Sequence, residues 1–304
     1  MSTILTASEL LALQKKVPAL PFLDVRLPED YAVSHIPGAA SHCVFEVGFL
    51  QEVEKAGFDR SAPLCVYGAR ETSHESRIAA EKLERAGFTQ VHDFQGGLEA
   101  WLAAELPLEL GDPAPAEQVI RDGTHALDLA ESTIIWVGRN LINKHWGRVA
   151  PSQGSITFLD GQLVSGAMTL DMHRMSSADL AGSDLHDVLI HHLESDDFFD
   201  VAHFPEARFT FDKAEVCSSS PGCRNLRLPG ELTLRGVTRP LVIEGAAGLT
   251  PEGRAALQAA FTLDRTDWGA IYGSGRFFRR LAGHLVNDEV ELQVRLLTQA
   301  PVTV

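Results

Sequence analysis

The chain has 304 residues, enough for two domains of ordinary size that each bury a core without disulfides. Lys and Arg number 26 against 41 Asp and Glu, and the resulting charge of -15 repels polyanions and argues against nucleic acid as a partner. The first residues lack the basic run and apolar core of a secretion signal, and no stretch approaches the roughly eighteen apolar residues of a membrane helix, so a cytoplasmic protein is expected.

Up to residue 108 short apolar runs alternate with helical ones. Thr6 and Glu9 form a capping box ahead of Leu10, Leu11 and Leu13, which predicts an opening helix. PFLDVR at 21–26 and PLCVYG at 63–68 read as buried strands, with a helical stretch, FEVGFLQEVEKAG, between them. Ser73 is placed as the cap of a helix running SHESRIAAEKLERAG and stopping at Gly87. A strand TQVHDF and a helix GGLEAWLAAEL complete an α/β domain over 1–108 with a mostly parallel sheet. The Pro- and Gly-containing stretch ELGDPAPAEQ marks a linker over 109–119.

From 120 to 300 the period changes to two. SITFLDGQLVSGAMTLDMH reads as two strands joined at Asp160-Gly161, and LPGELTLRGVTRPLVIEG as two joined at Arg235-Gly236. ARFTFDKAEV, AAFTLDR and VELQVRLLT continue the alternation, which predicts an antiparallel sheet closing into a barrel. One helix interrupts it, capped by Ser183, with Leu185, Val188, Leu189, His192 and Leu193 on its apolar side. The inward phase of the strands is Trp136, Ile156, Phe158, Met168, Leu170, Phe209, Phe211, Leu232, Leu234 and Phe261, which suits either a packed core or a cavity wall.

The motifs LDVR, EDYAVSHIPGA, VYG, AAEKLERAGF and FQGGLEAW make residues 5–105 similar to the single-domain rhodanese family. That resemblance implies a cysteine at the end of the second strand, its thiolate cradled by backbone N–H groups at a helix N-terminus and able to carry a persulfide. Gly68 stands at that position, followed by a longer loop carrying Glu71 and Glu75. No catalytic residue remains, and the domain reads as a regulatory or docking module whose protein partner is unknown. A sulfurtransferase or sulfur carrier using Cys43 or Cys65 stays open, and needs one of them exposed with a depressed pKa. Thr72, Ser73 and His74 are adjacent on a helix start and do not face one another as a nucleophile and base must.

HALDLAESTIIWVGRN, HHLESDDFFDVAHFPEARFTF, LPGELTLRGVTRPLVIE and TDWGAIYGSGRFFRRLAGHLVNDEVELQV resemble the YceI family over 120–298. The resemblance implies a lipocalin-like β-barrel that binds a polyisoprenoid or other long-chain lipid, without a cofactor. A barrel filled by its own side chains, serving as a stress-related interaction module, is the third reading. Ligand-binding candidates are Trp136, Arg139, Lys144, His145, Phe158, His192, Phe198, Phe209 and Phe277, with Asn140 in the same loop as Lys144. No metal is expected, since His186, His191 and His192 lack the i, i+4 pairing that aligns two imidazoles. GRFFRRLAGHL, with Phe277, Phe278, Leu281, Leu285, Arg276, Arg279 and Arg280, reads as a short helix able to touch a membrane transiently during ligand exchange. The remaining cysteines, Cys217 and Cys223, flank Ser-Ser-Ser-Pro-Gly, and reduced thiols are expected.

Overall fold

The computed structural model describes residues 2–111, 119–218, 223–279, 281 and 284–303. The chain divides into two compact units, Met1–Ala116 and Glu117–Val304.

In the first unit, β1 (Thr3–Ile4), α1 (Ala7–Lys16), β2 (Phe22–Asp24), α2 (Pro28–Val33), β3 (Ser34–His35) and β4 (Ala40–Ser41) are followed by α3 (Phe49–Lys55), β5 (Pro63–Tyr67), α4 (Glu75–Arg85), β6 (Gln90–Phe94), α5 (Gly97–Ala103) and β7 (Glu109–Leu110). Five strands make a parallel sheet in the order β1-β6-β5-β2-β4. Alternate residues of its central strands point to opposite faces and both faces are covered, which is why these strands read as continuous apolar runs. Leu23, Val25, Leu64 and Val66 pack under α3 and α4 through Val53, Ala79, Ala80 and Leu83. Phe22, Cys65, Tyr67 and Phe94 pack under α1 and α5 through Leu10, Leu98 and Trp101.

The Thr6–Glu9 capping box forms in both directions. Two local expectations change. His74, not Ser73, precedes α4, and the Ser73 hydroxyl instead closes a turn by donating to the Arg70 carbonyl at 2.7 Å. Glu109 and Leu110, expected in the linker, pair antiparallel with His35 and Ser34. The rest of the linker stretch, 112–118, lies outside the described residues.

The second unit runs β8 (Gly123–Ala126), β9 (Thr133–Arg139), β10 (Lys144–Leu159), β11 (Gln162–Ser177), α6 (Leu185–Glu194), β12 (Glu206–Phe211), β13 (Glu215–Val216), β14 (Leu226–Leu234), β15 (Val237–Leu249), β16 (Ala255–Asp264), a 3-10 turn (Arg265–Trp268) and β17 (Glu289–Leu297). β9, β10, β11, β12, β14, β15, β16 and β17 pair antiparallel in a ring, and β17 returns to β9 so that each of these eight strands has a neighbour on both sides. β10 and β11 are 16 residues each, and register shifts near Ala150, Pro151 and Thr157 bend them. The bend lets β10 pair with β9 over its first half and with β8 over its second. Pro151, which cannot donate to a ladder, sits at one of these shifts.

Both predicted hairpins turn through left-handed backbone, Asp160 and Gly161 at φ 52° and 70°, Arg235 and Gly236 at 49° and 72°. Alternating strand direction puts the β9–β10, β11–β12, β14–β15 and β16–β17 connections at one rim of the barrel and the others at the opposite rim. α6 lies in the β11–β12 connection and therefore at the first rim. Asp184, not Ser183, is the N-cap and its side chain makes no capping bond, while the Ser183 hydroxyl accepts from the Leu185 N–H at 3.2 Å one residue earlier. Leu189, His192 and Leu193 face the barrel as expected, but Leu185 and Val188 at the start of the helix are exposed and Ile190 packs on the barrel core in addition. The segment 275–279, expected to be helical, is a run of turns, and Arg280 lies outside the described residues.

Candidate functional site

The inside of the barrel is hollow. A cavity of about 320 Å³ reaches the rim that carries the β10–β11 turn, and another of about 220 Å³ reaches the rim that carries α6. Leu170, Ala207, Leu232 and Leu292 line both, so they form a neck between two chambers of one internal space. The larger chamber is walled by apolar side chains, with Ser155, Gln162 and Asn225 as the polar exceptions. The smaller gathers Arg139, Asn140, His145, His192, Arg265 and Asn287 around an apolar floor. A long, mostly apolar tube with polar groups at one end suits an amphiphile with a long tail.

The ten inward-phase residues all line this space, Phe158 and Phe209 in the larger chamber, Trp136 and Leu234 in the smaller. Alternation fixes which residues point in. Their height along the barrel depends on shear, which sequence does not display.

At the smaller chamber, His192 meets the edges of Phe198 and Tyr272 with ring centroids 5.0 and 4.5 Å apart. Phe198 is buried and carries the Arg265 guanidinium over its face at 5.2 Å. His145 Nδ1 bonds to Asp179 at 2.8 Å, and Arg139 donates to Glu291 at 2.8 Å. Lys144 and Phe277 are not among the lining residues, and Phe277 is exposed in the 275–277 turn.

Arg265 is the residue the sequence reading missed. It is fully buried, donating to the backbone carbonyls of Asn287, Ala270 and Val286, and burial lowers its pKa while Asp288 and Asp264 oppose that shift. An arginine flanked by Asp264 and Asp267 in DRTDW reads as a surface group, so only the folded positions of the Ala270, Val286 and Asn287 carbonyls reveal its role. Trp136 Nε1 is buried without a hydrogen-bond partner.

In the first unit the loop after β5 lies against α5: the Leu98 and Glu99 N–H groups donate to the carbonyls of Gly68 and Ala69, both at 3.0 Å. Gly97, at φ 61°, permits this contact, since a Cβ there would lie 2.5 Å from the Gly68 carbonyl oxygen. A Cβ on Gly68 would lie 2.5 Å from Glu75 Oε2, which accepts a long hydrogen bond from the Ala69 N–H at 3.4 Å. The position from which a sulfur would project is thus occupied by the chain's own carboxylate, at the N-terminus of α4, where a negative charge is favoured.

Cys43 and Cys65 are both buried, and burial, then the nearby Asp93 charge, pushes the Cys65 thiol up. Neither side chain is exposed, as the sulfur-transfer reading needs one of them to be. Cys217 and Cys223 are free thiols on the surface; residues 219–222 between them lie outside the described set. Among the described residues there is no cluster of three metal-ligating side chains, and no helix is long and apolar enough to cross a membrane.

The fold and the site define a two-domain protein: an α/β unit with a sulfur-free loop, followed by a hollow, lipocalin-like antiparallel barrel. Residues 125–297 match the YceI-like domain and residues 6–104 the rhodanese-like domain. The chain belongs to the YceI-like family and carries a rhodanese-like domain ahead of the barrel.

A UPF0312 protein of Pseudomonas savastanoi is 39% identical over 89 residues, 28% of this chain and 44% of that protein. The chain thus spans less than half the length of that relative. The thiosulfate sulfurtransferase GlpE of Vibrio cholerae is 32% identical over 88 residues, 29% of this chain and 76% of that protein. Among solved structures, a polyisoprenoid binding domain from Saccharophagus degradans is 16% identical, with 60% of this chain and 100% of that chain covered at a TM-score of 0.45. BcnA of Burkholderia cenocepacia is 17% identical, with 56% and 98% covered at a TM-score of 0.44.

Proposed function

We propose that the barrel holds one long-chain lipid of the polyisoprenoid type, tail in the larger chamber and polar end in the smaller, and that the rhodanese-like unit is a non-catalytic docking or regulatory module. The observation that carries this reading is the paired cavity of about 320 and 220 Å³ joined at Leu170, Ala207, Leu232 and Leu292. A barrel packed by its own side chains would have no such space, which disfavours the filled-barrel reading. Membership in the YceI-like family points the same way. The Glu75 carboxylate beside Gly68 supports the non-catalytic role of the first unit.

Exchange of the lipid takes place at the α6 rim, through brief contact with a bilayer. Support comes from the large apolar side chains exposed there, Leu141 and Ile142 at 86% and 88%, Leu185 and Val188 at 60% and 63%, with Phe277 and Phe278 nearby. The compartment assigned is the cytoplasm, in keeping with four free thiols.

Native mass spectrometry with organic extraction of the full chain, purified from a lipid-containing host, tests the reading. A stoichiometric long-chain lipid is the expected result. A protein at bare sequence mass that takes up no isoprenoid or fatty-acyl compound would overturn it.

A further inference from the structure

The connection between β11 and β12, residues 178–205, brings seven acidic side chains, four histidines and no lysine or arginine to the α6 rim. Folding pairs these groups. His186 Nδ1 lies 2.9 Å from Asp187, His203 Nδ1 2.7 Å from Asp200 and His192 Nε2 4.0 Å from Asp197. A fourth pair ties the segment to the start of β10, where His145 Nδ1 lies 2.8 Å from Asp179. The least exposed of the four imidazoles, that of His186, is still 29% open, so solvent protons reach them all.

With a neutral imidazole each pair is one negative charge, and with an imidazolium it is neutral. Together with the exposed His191, protonation of the histidines in 178–205 cancels four of its seven negative charges. Burial opposes ionisation of Asp179, but bonds from the Trp146 N–H, His145 and the Ser177 hydroxyl hold its carboxyl below the usual aspartate range. The bond to Asp200, then the Asp200 charge, raises His203 above the ordinary value of 6.5, with Asp196 adding to the effect, so that pair begins to charge above pH 6.5.

The neighbouring cations are engaged elsewhere. Arg139 is held by Glu291 at 2.8 Å, a carboxylate that also feels the Lys144 charge, and Arg276 by Asp264 at 2.6 Å. Arg265 is buried beside Asp288, and Arg235 donates to the Asp196 carbonyl at 2.7 Å. In the β16–β17 connection Arg279 is exposed, and His284 Nδ1 lies 3.4 Å from the Tyr272 hydroxyl. Among these charges stand exposed apolar side chains: Leu185 and Val188 bracket the His186–Asp187 pair in sequence, and Leu141 and Ile142 precede His145. Pressing them into a bilayer carries the aspartates to the headgroup layer, where an uncompensated negative charge meets the negative potential of an anionic leaflet.

We propose that protonation of the rim histidines licenses this rim to dock on a bilayer of anionic lipids. At neutral pH the aspartates repel the lipid phosphates and hold the apolar side chains off the surface. In acid the His–Asp pairs become neutral, and Leu185 and Val188 enter the headgroup layer. The inference rests on the reading that lipid is exchanged at this rim through bilayer contact, and adds the lipid charge and the pH that govern the contact.

The test is flotation of the full chain with vesicles of phosphatidylcholine alone or mixed with phosphatidylglycerol, at about pH 8 and about pH 5.5. Binding of wild type to mixed vesicles rises at least about tenfold on acidification, while binding to phosphatidylcholine changes less than about twofold. Return to about pH 8 releases the protein, which separates docking from acid aggregation. His186→Gln with His203→Gln removes two of the four pairs, neither lining the cavity, and leaves a rise of about threefold. His74→Gln with His125→Gln, in the first unit and on β8, keeps the full rise. Asp187→Asn with Asp200→Asn binds mixed vesicles already at about pH 8, a gain rather than a loss to measure. A rise no greater on mixed vesicles than on phosphatidylcholine, a rise that the rim pair keeps in full or the control pair loses, no gain in the Asn variant, or binding that does not reverse overturns the inference while leaving bilayer contact standing. Wild type that floats with neither vesicle at either pH overturns both.

Discussion

Gly68→Cys returns a sulfur to the position that the rhodanese-like loop frames, and the outcome depends on Glu75. The new Cβ would lie 2.5 Å from Glu75 Oε2 and 3.2 Å from Glu75 Cβ, so the carboxylate must swing aside, but its backbone is anchored as the first residue of α4. Thiolate and carboxylate then remain about 4 Å apart, where two unit charges repel by about 1 kcal/mol in water and about 4 kcal/mol near a protein surface. At 1.4 kcal/mol per pKa unit, the introduced thiol titrates about one to three units above the free-cysteine value of about 8.5. Its thiolate fraction at neutral pH falls about tenfold to thousandfold below the few per cent of a free cysteine.

The single variant is therefore expected to give no thiosulfate:cyanide turnover. Gly68→Cys combined with Glu75→Ala frees the Ala69 N–H for the sulfur and lowers its pKa by those same units. The assay is alkylation by iodoacetamide against pH, in a Cys217→Ser, Cys223→Ser background that removes the exposed thiols. If the thiol of the single variant titrates no higher than that of the double, the carboxylate does not control this loop and the argument fails.

Ala207→Phe places a ring in the neck and is expected to weaken binding of long chains at least tenfold while sparing those short enough for one chamber, as a chain-length series in a displacement assay would register. Leu141→Glu with Ile142→Glu should abolish co-sedimentation with phosphatidylcholine vesicles yet leave uptake of ligand from detergent unchanged; unchanged sedimentation would remove the rim from the exchange step. His92 and His42 are held below the ordinary histidine value of 6.5, in both cases chiefly by burial, so the unfolded chain takes up protons first as pH falls. Stability from these groups is complete above about pH 6.5 and declines below it, and calorimetry of His92→Leu should show a shallower acid decline than wild type.

What sequence makes legible is what local chemistry decides. The Thr6–Glu9 box and the Asp160-Gly161 and Arg235-Gly236 turns depend on a few neighbouring residues, and each forms as read. The inward phase of the barrel strands follows from a period of two, which needs no knowledge of the partner strand. Ser73 and the outer face of α6 show the limit: a hydroxyl near a helix start has several acceptors in reach, and an apolar helix stripe does not reveal how much of it the partner covers. Leu185 and Val188 pass for core by spacing alone, although they are exposed. Arg265, the neck at Ala207, and Glu75 over Gly68 arise from residues far apart in sequence meeting after closure. The spacing of any one motif carries no trace of them.

Closure of the barrel also imposes an order of events on synthesis. β9 is the first strand of the ring and β17 the last, and they pair with each other through residues such as Trp136 and Leu292. A nascent chain emerging at roughly 5–20 residues per second leaves β9 waiting for its second neighbour until β17 is made, with the apolar lining exposed in the interval. The strands and helices of the α/β unit are all complete before residue 111, so that unit can fold while the ring is still open. The seam between β9 and β17 couples distant segments and carries a loop-closure cost that slows this step. Until the seam forms, the newly made chain exposes the apolar lining of its barrel, and it depends on quick seam formation or on chaperone cover to avoid aggregating through it.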